Sequence, residues 1–61
     1  MRYYVFHAEK PYCRCIETTT SFEARKIVAR ACSSDVTDFY AVRKDLMTAR
    51  DWAKATDDAR I

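Results

Sequence analysis

The chain contains no glycine, and only one proline, one histidine and one tryptophan in 61 residues. Without glycine there can be no G-x-G-x-x-G fingerprint and no phosphate-cradling P-loop, because both need backbone that approaches a phosphate with no Cβ in the way. Turns and helix ends must then be built from Pro, Asp or Ser chemistry rather than from glycine's free φ. The lone histidine, His7, is matched by spacing to no serine or cysteine nucleophile. A chain this short also leaves little room for a substrate cleft, so neither catalysis nor a cofactor is expected.

Other things are scarce too. No apolar run approaches the ~20 residues of a membrane-spanning helix. Residues 1–7 lack a long apolar core and a small-residue cleavage site, so they read as mature protein rather than a signal peptide. Eleven basic and nine acidic residues leave a net charge of only +2, short of the excess that marks a dedicated nucleic-acid binder. Three cysteines cannot all pair within one chain, which fits a reducing cytosol.

What is present is apolar material. Hydrophobic residues make up 49% of the chain and aromatics 13%, which argues for a packed core over disorder. Residues 1–61 read as one small domain. A chain of this size buries only about 60% of its unfolded surface, so its stability is marginal unless a metal, a disulfide or a partner adds to it.

The clearest element is a helix over residues 20–32. Thr20 is placed to cap it, with Glu23 completing a capping box. Ala24, Ile27, Val28 and Ala31 recur at helical spacing and predict the buried stripe, with Arg25, Lys26 and Arg30 on the other side. Two strands precede it. In residues 2–7, Tyr3 and Val5 point one way and Tyr4 and Phe6 the other, as in a central strand. In residues 12–17, Tyr12, Arg14 and Ile16 share one face and Cys13 and Cys15 the opposite one. A third strand is expected over residues 36–43, with Phe39 and Ala41 on one face and Tyr40 and Val42 on the other. Thr48 then caps a second helix, residues 49–59, through Asp51. Met47 and Trp52 are spaced for a hydrophobic staple. Asp57 and Asp58 lie where the helix dipole disfavours them, so that end should fray.

The order is ββαβα, an α+β fold. Docking the third strand beside the first gives an antiparallel sheet of order 2-1-3 with the most apolar strand in the centre. One main helix lies on a face, and a second follows at the C-terminal end. Both sheet faces carry large apolar residues. The second face is therefore covered either by the C-terminal helix through Trp52 or by another molecule, including a second copy.

Three constellations are candidates for chemistry. His7, Cys13, Cys15 and Cys32 form a set that zinc accepts, but C-x-C is not the usual C-x2-C knuckle, and buried free cysteine commonly behaves as a small hydrophobe. No metal is expected. Arg25, Lys26 and Arg30, with Arg43 and Lys44 at the end of the third strand, form a basic surface that aromatic neighbours could turn toward nucleic acid. A solvated helix face is the simpler account of it. Phe22 projects beside Lys26 and is a contact anchor unless it folds over the sheet edge.

The run Phe22-Glu23-Ala24-Arg25-Lys26-Ile27-Val28-Ala29, followed by Val36 and Tyr40-Ala41-Val42-Arg43, resembles small accessory proteins of T7-like tailed phages, the podoviruses. The order hairpin–helix–strand is similar to that of the short host-RNA-polymerase inhibitor of that group. In that family a three-stranded sheet packs on one helix, and the protein blocks transcription by binding the jaw of the bacterial polymerase. The resemblance implies a non-enzymatic protein-binding accessory protein, acting in the bacterial cytoplasm on a larger host or phage protein. Through the Val42-Arg43 strand end it also implies that Arg43 touches the partner. The alternatives are a virion structural or decoration protein, located in the particle, and a small nucleic-acid-binding protein. The third strand is the expected contact surface, with Phe39 or Tyr40 as anchor and Arg43 as clamp.

Overall fold

A computed structural model describes residues 1–58, with side-chain surroundings through Ala55. The strands are β1 (Arg2–His7), β2 (Cys13–Glu17) and β3 (Phe39–Arg43), and the helices are α1 (Ser21–Cys32) and α2 (Ala49–Asp58). The sheet is antiparallel with order β2-β1-β3. Tyr3 lies opposite both Ile16 and Arg43, and Phe6 opposite both Cys13 and Tyr40. The ββαβα order and the central position of the most apolar strand are as the sequence predicts. The expected helix end at Ala59, and the fraying expected there, lie outside the described residues.

Side-chain parity on this register makes two layers. Tyr3 and Val5 face α1 and are buried with Ala24, Val28, Ala29 and Phe39, while Tyr12, Ile16, Val36 and Ala41 pack around them. Burying each larger member contributes about 1.5–3 kcal/mol. On the opposite face, Phe6 is fully buried and Ala55 of α2 nearly so. The Trp52 ring meets Tyr4 edge-on at 5.2 Å. The second face is thus covered from within the chain, by α2.

Glycine's work is done by other residues. Ser33 takes the left-handed conformation, φ 53°, that ends α1. Its N–H donates to Arg30 O and the Ser34 N–H to Ala29 O, so the last carbonyls of the helix are satisfied as in a Schellman motif. In the β1–β2 turn, Nδ1 of His7 accepts from the N–H groups of Glu9 (3.0 Å) and Lys10 (2.9 Å). The imidazole does what an Asx or glycine turn does elsewhere. Two acceptor bonds at Nδ1 place the ring proton on Nε2.

Helix starts follow the sequence. Thr20 Oγ1 accepts from the Glu23 N–H at 3.1 Å. At α2 the box closes both ways, Asp51 N–H to Thr48 Oγ1 and Thr48 N–H to Asp51 Oδ2.

Two expectations are corrected. Residues 36–38 form a 3-10 turn, not the start of β3. Asp35 Oδ1 accepts from the Thr37 N–H and the Asp38 N–H donates to Asp35 O, a local alternative to the ladder that Asp offers and a strand former does not. The buried stripe of α1 is also turned from the predicted one. Ala24, Val28 and Ala29 are buried while Ile27 is 43% exposed. At about 100° per residue the stripe is rotated toward Arg25. Small Ala29 lets the helix sit close to the sheet, and Ile27 is left at the margin.

Candidate partner-binding site

The eight residues expected to contact a partner do not share one surface. Phe39 is 4% exposed and belongs to the core. Its ring is also met edge-on by His7 at 5.1 Å and by Tyr12 at 5.8 Å. The expectation of Phe39 as an anchor is therefore corrected, because its strand parity turns it toward α1. Tyr40, on the opposite parity, stacks on Phe6 at 5.2 Å. Its hydroxyl accepts a hydrogen bond from Lys54 Nζ at 2.9 Å. That ammonium lies within 5.4 Å of both ring centroids, an arrangement that fastens α2 to β3 by cation–π attraction.

The basic helix face is smaller than the sequence implies. Arg25 lies on the rotated stripe, half-buried, with Nε buried and without a hydrogen-bond partner among the described residues. Its guanidinium sits 5.7 Å from the Phe22 ring centroid. Lys26 is half-buried, and Arg30 and Phe22 are exposed. Phe22 is 52% exposed.

Arg43 and Lys44 lie elsewhere, at the end of β3 beside the start of β1. Arg43 Nε and Nη2 each donate to Asp45 at 2.6 Å, a two-pronged pair. The guanidinium holds the Asp45 carboxyl below the usual carboxylate range, through hydrogen bonding first and charge second, and Asp45 in turn raises Arg43. The pair sits at the start of the 3-10 turn Lys44–Leu46, which the Met47 N–H closes by donating to Lys44 O. Together with Met1, Arg2, Lys44 and Trp52 it lines a groove of about 420 Å³.

Met1, Arg2, Asp45 and Trp52 are the members of this groove that were not among the expected contacts. No local pattern in the sequence names them: the Tyr3–Arg43 pairing at the end of the ladder is what brings the start of β1 beside Arg43 and Lys44.

The four zinc candidates are divided by the sheet. Cys13 and Cys15 share the parity of Phe6 and Tyr4, facing α2. His7 and Cys32 instead line a second cavity, of about 230 Å³, with Tyr12 and Phe39. Among the described residues no three potential ligands are grouped for a metal. The cysteines act locally. Tyr4 is pushed up by burial first and by the Cys15 and Cys13 thiols next, and Tyr12 by burial first and its hydrogen bond with Cys32 next.

No protein-family model matches the chain, and no curated protein or solved structure matches it significantly. No helix among the described residues is long and apolar enough to cross a membrane.

Proposed function

We propose that this is a non-enzymatic accessory protein that binds a larger protein through the end of the sheet where β3 finishes and β1 begins. The observation that carries this reading is the distribution of cover. Both sheet faces are packed from within the chain, by α1 and by α2, while the Arg43–Lys44 end keeps an apolar groove edged with cations. Apolar area with arginine at its rim is the composition that dominates protein interfaces. The phage-like sequence pattern makes a bacterial host cell the setting and host RNA polymerase the sharpest candidate target.

Arg43→Glu tests it. The replaced pair is exposed, so the thermal unfolding midpoint should stay nearly unchanged. Capture of purified bacterial RNA polymerase on immobilised protein should weaken at least about tenfold. If Arg43→Glu captures polymerase like the parent while Lys26→Glu or Phe22→Ala does not, the contact lies on α1 and the assignment to the sheet end is wrong. If the parent captures no polymerase, that target is wrong.

A further inference from the structure

The sheet-end groove has a lopsided charge pattern. Its lining is Met1, Arg2, Arg43, Lys44, Asp45 and Trp52, with Asp45 the one acid among them. Asp45 is engaged on both oxygens by Arg43, so that pair is close to neutral. The sulfur of Met1 is held at the same corner, accepting weakly from Tyr3 OH and from Arg43 Nη1. Arg2 and Lys44 remain, with no ion-pair partner among the described residues.

The apolar wall is Trp52, steadied on Tyr4, and the thioether of Met1, a side chain that adapts its shape to what it meets. A space of about 420 Å³ falls in the range that takes a compact ligand group. Two cations above an apolar wall, with the one carboxylate among the described lining residues already paired, complement an apolar side chain that carries acids beside it.

Resting on the protein-binding reading above, we propose that the groove receives one apolar side chain of a partner protein, flanked in the partner's sequence by carboxylates that pair with Arg2 and Lys44. Trp52 and Met1 supply the contact area. The two cations select against partners that present lysine or arginine at those places, because like-charge juxtaposition opposes the apolar contact. Arg43 acts from one step back: by holding Asp45 it keeps that carboxylate from repelling the incoming acids.

The experiment is a titration followed by amide and indole N–H signals in NMR. One probe is a hexapeptide with two leucines between paired glutamates. The other is the same peptide with lysine in place of each glutamate. The glutamate peptide should shift the Trp52 indole signal and the Arg2 and Lys44 amides to saturation. The lysine peptide should bind at least tenfold more weakly. Lys44→Glu and Arg2→Glu should each weaken the glutamate peptide severalfold, with the spectrum elsewhere unchanged. Equal binding of both peptides, or no saturable shift, overturns the proposal. So does a larger effect from oligothymidylate at the same signals, which would make a phosphate backbone the occupant. Doubling of the molecular mass with concentration, moving these signals without peptide, would make a second copy the occupant and also overturns it.

The polymerase capture assay separates this proposal from the reading it rests on. Retention by the parent and by Arg2→Glu,Lys44→Glu alike would keep the protein-binding reading and remove the groove from it. Saturable, charge-selective peptide binding without polymerase capture would keep the groove and remove the target.

Discussion

The two faces of the sheet are closed in different ways. On the α1 face, Val5, Ala24, Val28, Ala29 and Phe39 form one continuous cluster, and small residues on the helix let it approach closely. On the α2 face, Phe6 and Ala55 are the buried hydrophobic residues among those described, and the helix is held by a few ring contacts: Trp52 on Tyr4, and Lys54 over Phe6 and Tyr40. Such pairs contribute about 0.5–1.5 kcal/mol beyond area, and an exposed cation–π contact about 0.5–1. The first face decides whether the chain folds. The second decides how well a short helix stays attached, and so how well the sheet-end groove keeps its wall.

The largest test of that division is Phe39→Ala. It opens a cavity in the closed face and should cost about 3–5 kcal/mol, enough to unfold much of a chain this small. Urea denaturation followed by circular dichroism measures it; a loss near 1 kcal/mol would mean the α1 face is not the main core. Next comes Trp52→Ala. Because Trp52 is partly exposed, the expected loss is smaller, about 2 kcal/mol, scaled from fully buried aromatics. Hydrogen exchange should speed up in α2 while the Val5 and Val28 amides stay protected. Equal loss of protection on both faces would show one indivisible core.

Ser33→Gly works in the opposite direction. The left-handed conformation costs a non-glycine residue about 1–2 kcal/mol, so glycine there should stabilise the protein by somewhat under that, with extra protection confined to α1. An unchanged midpoint would mean that the serine cap offsets the strain. The smallest effect concerns Asp45. Its pKa is lowered in the fold, so its contribution is fully present above the usual carboxylate range, near pH 4, and is lost as the pH falls through the lowered value. Asp45→Asn should therefore differ slightly from the parent at pH 7, and the difference should vanish once the pH has fallen well below the lowered value, as read from paired thermal melts. A difference that persists in acid would place the effect in the turn rather than in the charge.

Legibility followed the range of the interaction. Both helix starts could be read, since Thr20 with Glu23 and Thr48 with Asp51 act within one turn. The sheet order could be read because the first strand is the most apolar of the three. The phase of α1 was not legible: Ala24 and Val28 fit two overlapping stripes, and the sheet, not the helix, chooses Ala29 over Ile27. Residues 36–38 look strand-like in composition, but the Asp35 side chain captures their backbone first. The site was half-legible. Arg43 and Lys44 could be named, but their neighbours come from Arg2 and Trp52, which only the completed pairing brings alongside. The same parity that exposes Tyr40 commits Phe39 to the core, and no local pattern says which of the two faces α1.

The single tryptophan sits in α2 and touches the sheet through Tyr4, away from the Val5–Val28 cluster. Its fluorescence is therefore an indicator of helix docking rather than of folding. Warming the protein should change the emission before the far-ultraviolet ellipticity of the sheet and α1 gives way. Two optical probes of one small domain would then yield two midpoints, and their separation would measure how loosely the last helix is tethered.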